Sequence, residues 1–173
     1  MLAQIGIIPD EVRPADINET PQDGELPRLH SGRLAREKAL AIESPGDFIL
    51  AADTVVGVGR RILPKTETRD EAERCLRLMS GRGHRVYTGV SLIAPNGRQS
   101  TRIVETRLKM KRLSDTEIAA YLEGGEWDGK AGGYAIQGHA EAFIISIIGS
   151  FSGVVGLPLY ETRCLLTGLR YTQ

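Results

Sequence analysis

Asp53 is the residue whose position in the sequence most clearly suggests chemistry. Its carboxylate interrupts the apolar run "DFILAADTVVGVG" (47–59), which predicts a buried strand. A carboxylate in a buried strand must be solvated by a cleft, an ion or a charged partner. We interpret Asp53 as a metal ligand or general base. The alternative, an aspartate that starts a turn, is less favoured because "TVVGVG" continues as strand.

Three further charged residues are ambiguous by themselves. Lys38 falls in the middle of the apolar face of a helix predicted over 31–43, so its ammonium either reaches solvent along its stem or meets a buried anion. The periodicity leaves both possibilities open. Lys65 follows Pro64 in a predicted loop, and Glu19 stands in "ADINET"; taken alone, both are typical of solvated side chains.

The stretch "GKAGGYAIQG" (129–138) combines four glycines with Lys130 and Gln137, and it shows no apolar run long enough to predict burial. Exposed backbone amides beside a lysine favour anions, and the amide of Gln137 can donate and accept hydrogen bonds at once, as a base edge requires. A plain glycine-rich loop between a helix and a strand is the other interpretation. The spacing matches neither the P-loop nor the dinucleotide-binding fingerprint.

Composition narrows the class of protein. The chain has 173 residues, 41% of them hydrophobic, with 22 Lys+Arg balancing 22 Asp+Glu. This balance argues against nucleic acid or a membrane surface as partner but allows a local anion site. The longest apolar runs have strand length and the N-terminus lacks a signal pattern, so we expect a cytoplasmic protein. Cys75 and Cys164 have no metal-ligand companions, and we expect buried thiols.

The pattern of elements predicts a single α/β domain over 1–173, with a mixed, long-stranded central sheet flanked by helices. Thr68 with Glu71, and Ser114 with Glu117, form capping boxes that begin two helices. Asn96-Gly97 predicts a hairpin, and we expect a βαβ crossover in the same sheet. The predicted elements are helices over 31–43, 68–81, 113–125 and from Pro158 onward, and strands over 47–59, in the two hairpin arms and over 142–149.

Five blocks in chain order resemble the Maf family of nucleoside triphosphate pyrophosphatases. They are "GRLAREKA" (32–39), "LAADTVV" (50–56), "LMSGRGH" (78–84), "GKAGGYAIQG" (129–138) and "GSFSGVVGLPLYET" (149–162). The resemblance implies the α/β fold of the inosine triphosphate pyrophosphatases, usually as a homodimer with a central cleft. It also implies hydrolysis between the α and β phosphates, giving monophosphate and pyrophosphate with a divalent metal, Mg or Mn.

The "KAG-Y-IQG" block resembles the family branch that acts on dTTP, UTP and modified pyrimidine triphosphates. By this resemblance Asp53 corresponds to the proton acceptor. Thr54 and Gln137 correspond to specificity positions. Glu19, Lys38 and Lys65 belong to the metal and phosphate group, with Glu19 and Asp53 as metal ligands. Lys130 is a further substrate-binding candidate, and whether its partner is phosphate or a carboxylate is left open.

The beginning of the chain departs from the family pattern. Family members start with a strand and a Ser-x-Ser-Pro-Arg-Arg type motif, whereas "MLAQIG" reads as the last turn of a helix. We expect an N-terminally truncated domain whose start was assigned to an internal methionine, the alternative being a real loss. Such a chain would fold less stably and turn over poorly. A second functional hypothesis is a nucleotide-binding regulator of septum formation and cell division with little or no turnover.

Overall fold

An antiparallel sheet of five strands forms the centre of the protein. The computed structural model describes residues 1–172. The strands lie in the order β2-β1-β3-β4-β5, and each neighbouring pair is antiparallel. Their bounds are β1 (Ile49–Val58), β2 (Arg61–Leu63), β3 (Gly83–Ile93), β4 (Gln99–Met110) and β5 (Ile144–Ile148).

The α/β class and the long strands are confirmed, but the prediction of a mixed sheet with a βαβ crossover was wrong. The reason is the short strand β2, which turns back along β1 after Gly59 and pairs Leu63 with Val56. This one extra reversal changes the direction in which the next helix and strand run. β3 therefore enters antiparallel to β1, with Asp53 opposite Gly89. Periodicity alone does not reveal a reversal made by three residues.

In the part of the chain that the structure describes, five helices flank the sheet, together with 3₁₀ turns at Leu2–Ile5 and His139–Phe143. They are α1 (Pro27–Leu40), α2 (Arg69–Met79), α3 (Asp115–Glu123), α4 (Phe151–Val155) and α5 (Leu159–Gly168). Both predicted capping boxes are present, at Thr68 and at Ser114. α1 begins four residues before the predicted Ser31 because Pro27 takes its first position, where a proline needs no amide donor. Within residues 1–172, none of the helices combines the length and the apolar character that crossing a membrane requires.

Two hydrophobic clusters pack against the sheet. The larger one joins α2 and α3 to the glycine-rich stretch, whose Tyr134, Ala135 and Ile136 are buried. The expectation that this stretch has nothing to bury was therefore wrong. The smaller cluster joins α5 to β3 through Leu165, Leu166, Val90, Leu92 and Ile7. Of the two thiols, the one in α2 is buried as expected, and the one in α5 is exposed.

Helix α1 lies with its backbone almost on the sheet at Gly89 of β3. A Cβ atom placed on Gly89 would lie 2.8 Å from the carbonyl carbon of Ser31 and 3.0 Å from the Cβ of Ala35. Lys38 follows Ser31 by two helical turns and so lies on the same face of α1. Because Asp53 pairs directly with Gly89, this close approach directs Lys38 toward Asp53.

We expect Gly89→Ala to destabilise the protein by about 1–3 kcal/mol, because the added methyl group meets helix backbone, which cannot rotate away. Urea unfolding and thermal melting of both proteins measure the effect. Gly168→Ala is the matched control, since a Cβ at Gly168 meets no atom within 4 Å. Equal melting temperatures for Gly89→Ala and the wild type would show that α1 does not depend on this contact.

Candidate active site

Asp53, Lys38, Glu19 and Lys65 form one cluster of charges on the α1 side of β1. The ammonium of Lys38 donates to Asp53 Oδ1 and lies at 2.6 Å from it; its distance to Glu19 Oε1 is also 2.6 Å. The ammonium of Lys65 pairs with Glu19 Oε2 and lies 4.0 Å from Asp53 Oδ1. The structure thus brings together the four residues of the predicted metal and phosphate group.

Each member of the cluster comes from a different part of the fold. Asp53 lies in the middle of β1, with a side chain only 3% exposed. Lys38 lies in the last turn of α1, and Glu19 lies in the loop that precedes α1. Lys65 follows β2 and is held by a bridge to Ala131 of the glycine-rich stretch. The cluster therefore forms only when the sheet, α1 and both loops are in place.

Burial and the two lysines act in opposite directions on the pKa values of the two carboxyl groups. Burial raises the pKa of Asp53, and the hydrogen bond from Lys38 offsets only part of that rise. Burial acts in the same direction on Glu19, but hydrogen bonds from Lys38 and Lys65 outweigh it and lower its pKa. For Lys38, burial favours the neutral amine, yet hydrogen bonds to Asp53 and Glu19 raise its pKa. Lys38 is therefore a charged partner of a buried anion, and this decides between the two possibilities that its periodicity left open.

Glu19 and Asp53 fit a hard divalent cation that shares its ligands with a substrate. Their oxygens already converge on a single cationic atom, the Nζ of Lys38. Magnesium in phosphate-transfer sites is held by one or two protein carboxylates, and substrate phosphates and water complete its shell. Within residues 1–172, no group of three or more His, Cys, Asp and Glu side chains could hold a metal. The donor set therefore suits a metal bound together with phosphate and not an all-protein cage.

Thr54 lies on the opposite face of the sheet from the cluster. Its hydroxyl oxygen is 3.1 Å from that of Thr88, which donates to the carbonyl of Gly153 in α4. Neighbouring residues of a strand point to opposite faces, so Thr54 and its neighbour Asp53 cannot share one side. In this structure Thr54 therefore supports the contact between the sheet and α4.

The glycine-rich stretch runs beside Lys65 but does not place its own polar side chains in the cluster. The amide of Thr66 donates to the carbonyl of Lys130, and the amide of Gly132 donates to that of Pro64. The ammonium of Lys130 is 3.4 Å from the carbonyl of Asp128. Gln137 is exposed and follows the buried residues 134–136. The stretch thus positions Lys65 through its backbone, and Gln137 is left open to solvent.

The sequence pattern did not predict the ion pair between Glu25 and Arg33. Arg33 donates from Nε and Nη2 to the two carboxylate oxygens of Glu25, both at 2.8 Å, and also from Nη2 to the carbonyl of Thr20 at 3.1 Å. Thr20 is the neighbour of Glu19, so this clamp fastens the loop that carries Glu19 to α1. Glu25 precedes the helix in an aperiodic segment, where no pattern predicts its partner.

The side chains of the clamp are largely buried, and Arg33 strongly favours the ionised form of Glu25. The side chain of Glu25 is 7% exposed and also lies 2.8 Å from Nδ1 of His30. The hydrogen bonds from Arg33 lower the pKa of Glu25 to about 2. Glu25 is therefore ionised in the folded protein at any pH near neutrality.

Comparison with known proteins identifies the family of this chain. A family model described as Maf-like protein matches residues 1–169. The chain belongs to the Maf family. A Maricaulis maris protein named dTTP/UTP pyrophosphatase is 62% identical over 172 residues, which cover 99% of this chain and 83% of that protein. Proteins of the same name from Caulobacter vibrioides and Rhodopseudomonas palustris (strain HaA2) are 60% and 56% identical over 99% of this chain, covering 90% and 86% of their own lengths.

Two of the cluster residues lie within the blocks that resemble the Maf family, and two lie outside them. Lys38 stands in "GRLAREKA" and Asp53 in "LAADTVV". Glu19 comes from the loop before the first block, and Lys65 comes from the segment between the second and third blocks. The helix block also contains Arg33. One Maf block on α1 therefore supplies both a cluster lysine and the arginine that anchors the loop of Glu19.

We expect Glu25→Gln to lower the free energy of unfolding at pH 7 by up to about 3 kcal/mol, because the pKa of Glu25 falls from 4.5 to about 2 on folding. Because folding lowers the pKa of Glu25, its ionised form stabilises the folded state. This stability is fully present above the unfolded value of 4.5 and is lost as the pH falls toward 2. Urea unfolding between about pH 7 and pH 2.5 measures it.

As the pH falls, the free energy of unfolding of the Glu25→Gln protein should decrease less steeply than that of the wild type. Glu67→Gln, which alters an exposed carboxylate outside the clamp, is the control and should keep the wild-type profile. Parallel acid profiles for Glu25→Gln and the wild type would contradict the role of the clamp.

Proposed function

We propose that the protein hydrolyses nucleoside triphosphates, foremost dTTP, UTP and modified pyrimidine nucleotides, to the monophosphate and pyrophosphate. The observation that carries the proposal is the cluster of two carboxylates and two ammonium groups around the buried Asp53. Support for the substrate comes from the relatives named dTTP/UTP pyrophosphatase, which match nearly the full chain at 56–62% identity.

The chain's own residues supply a base and two fixed positive charges. Asp53 accepts a proton from the attacking water as the water oxygen bonds to the α phosphorus. The bond between the α phosphorus and the bridging oxygen breaks, and pyrophosphate leaves with the bonding electrons. Lys38 and Lys65 stabilise the negative charge that grows on the phosphate oxygens and the leaving group.

Glu19 and Asp53 would hold the divalent cation, Mg or Mn, that we propose as cofactor. When bound, such an ion draws charge from the phosphate oxygens as a Lewis acid and orients the triphosphate. Asp53 can both contact a metal and take a proton because a carboxylate has two oxygens, of which only Oδ1 contacts lysine. Glu19 offers both of its oxygens to the same cluster.

For the base, we propose Gln137 as the reading group, with Lys130 as a further substrate-binding residue. The specificity role of Thr54 stays a prediction from the family resemblance, because its hydroxyl contacts Thr88 on the face of the sheet away from the cluster. The exposed amide of Gln137 is free to pair with a pyrimidine edge. The exposed Lys130 stands in the same stretch as Gln137. The homodimer, the cytoplasmic location and the absence of nucleic-acid binding stay predictions.

Pyrophosphate release from dTTP and UTP, with GTP as control and Mg²⁺ or Mn²⁺ present, tests the reaction. We expect Asp53→Asn to lower kcat by about 10²–10⁴-fold, since it removes the general base while keeping the shape of the side chain. Lys109→Gln, on the exposed side of β4, should keep wild-type turnover. Nucleotide binding without turnover, unchanged in Asp53→Asn, would instead support the regulator of septum formation and cell division.

We expect Gln137→Ala to raise KM for dTTP and UTP about tenfold and to bring their kcat/KM closer to that for GTP. The physical reason is the loss of a donor and acceptor pair worth about 1–2 kcal/mol in base discrimination. Steady-state kinetics with the three nucleotides measure the change. Gln137→Glu is the matched variant, which keeps the acceptor and loses the donor. Unchanged selectivity in both variants would assign base reading to other residues.

A further inference from the structure

Lys38 and Lys65 contact the two carboxylates that a metal would need. Lys38 bridges Glu19 and Asp53 with a distance of 2.6 Å to each, and Lys65 closes the other side of Glu19. An ammonium that bridges two carboxylates takes the position that a bridging metal would take. The same lysine cannot keep both contacts while those oxygens bind a divalent ion.

We propose that Lys38 and Lys65 are exchangeable counter-ions, which neutralise Glu19 and Asp53 in the free protein and move to triphosphate oxygens when metal and nucleotide bind together. Metal and triphosphate then bind cooperatively, and each alone binds weakly. This inference rests on the proposed function and describes how its site is controlled.

The charges of the cluster support the exchange. Two carboxylates and two ammonium groups sum to zero in a partly buried site, where the side chain of Asp53 is 3% and that of Lys38 is 16% exposed. A divalent ion alone would add two positive charges next to two ammonium groups. A triphosphate alone would bring its negative charge next to two carboxylates. When both ligands are present, every cation faces an anion: the metal can face the carboxylates while the ammonium groups face phosphate oxygens. A cation held beside other cations is costly where water is largely excluded.

The side chains are also able to exchange. Lysine carries a compact charge on a flexible four-carbon stem, so its ammonium can turn to a new acceptor without movement of the backbone. The side chain of Lys65 is 46% exposed, and it already lies 4.0 Å from Asp53 while it pairs with Glu19. Lys38 is more enclosed, but it projects from the last turn of α1 toward the loop of Glu19. Both lysines therefore stand at the junction of the two ligand sites.

The test is the binding of Mn²⁺ alone and of Mn²⁺ with the α,β-methylene analogue of dTTP, which is not hydrolysed. Titration calorimetry, or the electron paramagnetic resonance signal of free Mn²⁺, gives the affinity without any turnover. We expect the analogue to tighten Mn²⁺ binding at least tenfold in the wild type, and Mn²⁺ to tighten analogue binding by the same factor.

Lys38→Met is the decisive variant. Removing the ammonium takes the 2.6 Å partner away from Asp53 and leaves Glu19 with Lys65 alone. This variant should therefore bind Mn²⁺ alone at least tenfold more tightly than the wild type and should show a smaller enhancement by the analogue. Lys65→Met changes a half-exposed side chain and should show the same trend, which keeps the test valid if Lys38→Met does not fold. Lys109→Met is the control and should behave as the wild type.

Each outcome separates the inference from the proposed function. Weaker or unchanged Mn²⁺ binding in both cluster variants, or independent binding of Mn²⁺ and analogue in the wild type, would overturn the exchange. If dTTP is nevertheless hydrolysed by the wild type, the proposed function stands without it. If the wild type neither hydrolyses dTTP nor binds the analogue, both proposals fail.

Discussion

Helix α1 can lie directly on the sheet because Gly89 has no side chain to hold it away. The backbone of Ser31 occupies the space that a Cβ on Gly89 would need. This contact sets the distance from α1 to β1, because Gly89 is paired with Asp53. A helix raised by one methyl group would move the backbone of Lys38 away from Asp53 and force its side chain to extend further to keep the 2.6 Å ion pair. The chemistry of the site thus depends on a packing contact that is not itself chemical.

The second constraint is the neutrality of a largely enclosed cluster. Burying Asp53 without a partner would cost several kcal/mol or leave it protonated. Lys38 removes that cost, and Lys38 is in turn shared with Glu19, whose loop is fastened to α1 by Arg33 and Glu25. The buried clamp therefore supports the site through the loop backbone. The position of the Glu19 carboxylate thus depends on Arg33, which lies outside the cluster.

Residues on the two faces of β1 have different roles. Asp53 faces α1 and the cluster, while Thr54 faces α4 and joins a hydroxyl contact with Thr88. The glycine-rich stretch forms backbone hydrogen bonds to the segment of Lys65 and packs Tyr134 and Ile136 into the larger hydrophobic cluster. The same ten residues thus act as a structural anchor and carry the exposed amide of Gln137. Glycine at the close contacts, with apolar residues between them, makes both roles possible.

The sequence by itself determined the local features, because these depend on neighbours in the chain. The capping boxes at Thr68 and Ser114, the hairpin at Asn96-Gly97 and a carboxylate in a buried strand all follow from short-range patterns. The five blocks that resemble the Maf family contain two of the cluster residues, Lys38 and Asp53, and the resemblance implied the other two, Glu19 and Lys65.

Only the tertiary structure decided how these parts meet. It showed that β2 reverses the chain and makes the sheet antiparallel, that Lys38 meets a buried anion, and that Glu19 and Lys65 join Asp53 from distant loops. It also showed the clamp of Glu25 and Arg33, which no periodicity marks. The physical reason is that an ion pair depends on distance in space, and residues separated by 15 to 46 positions in the chain reach that distance only after the sheet and helix have packed.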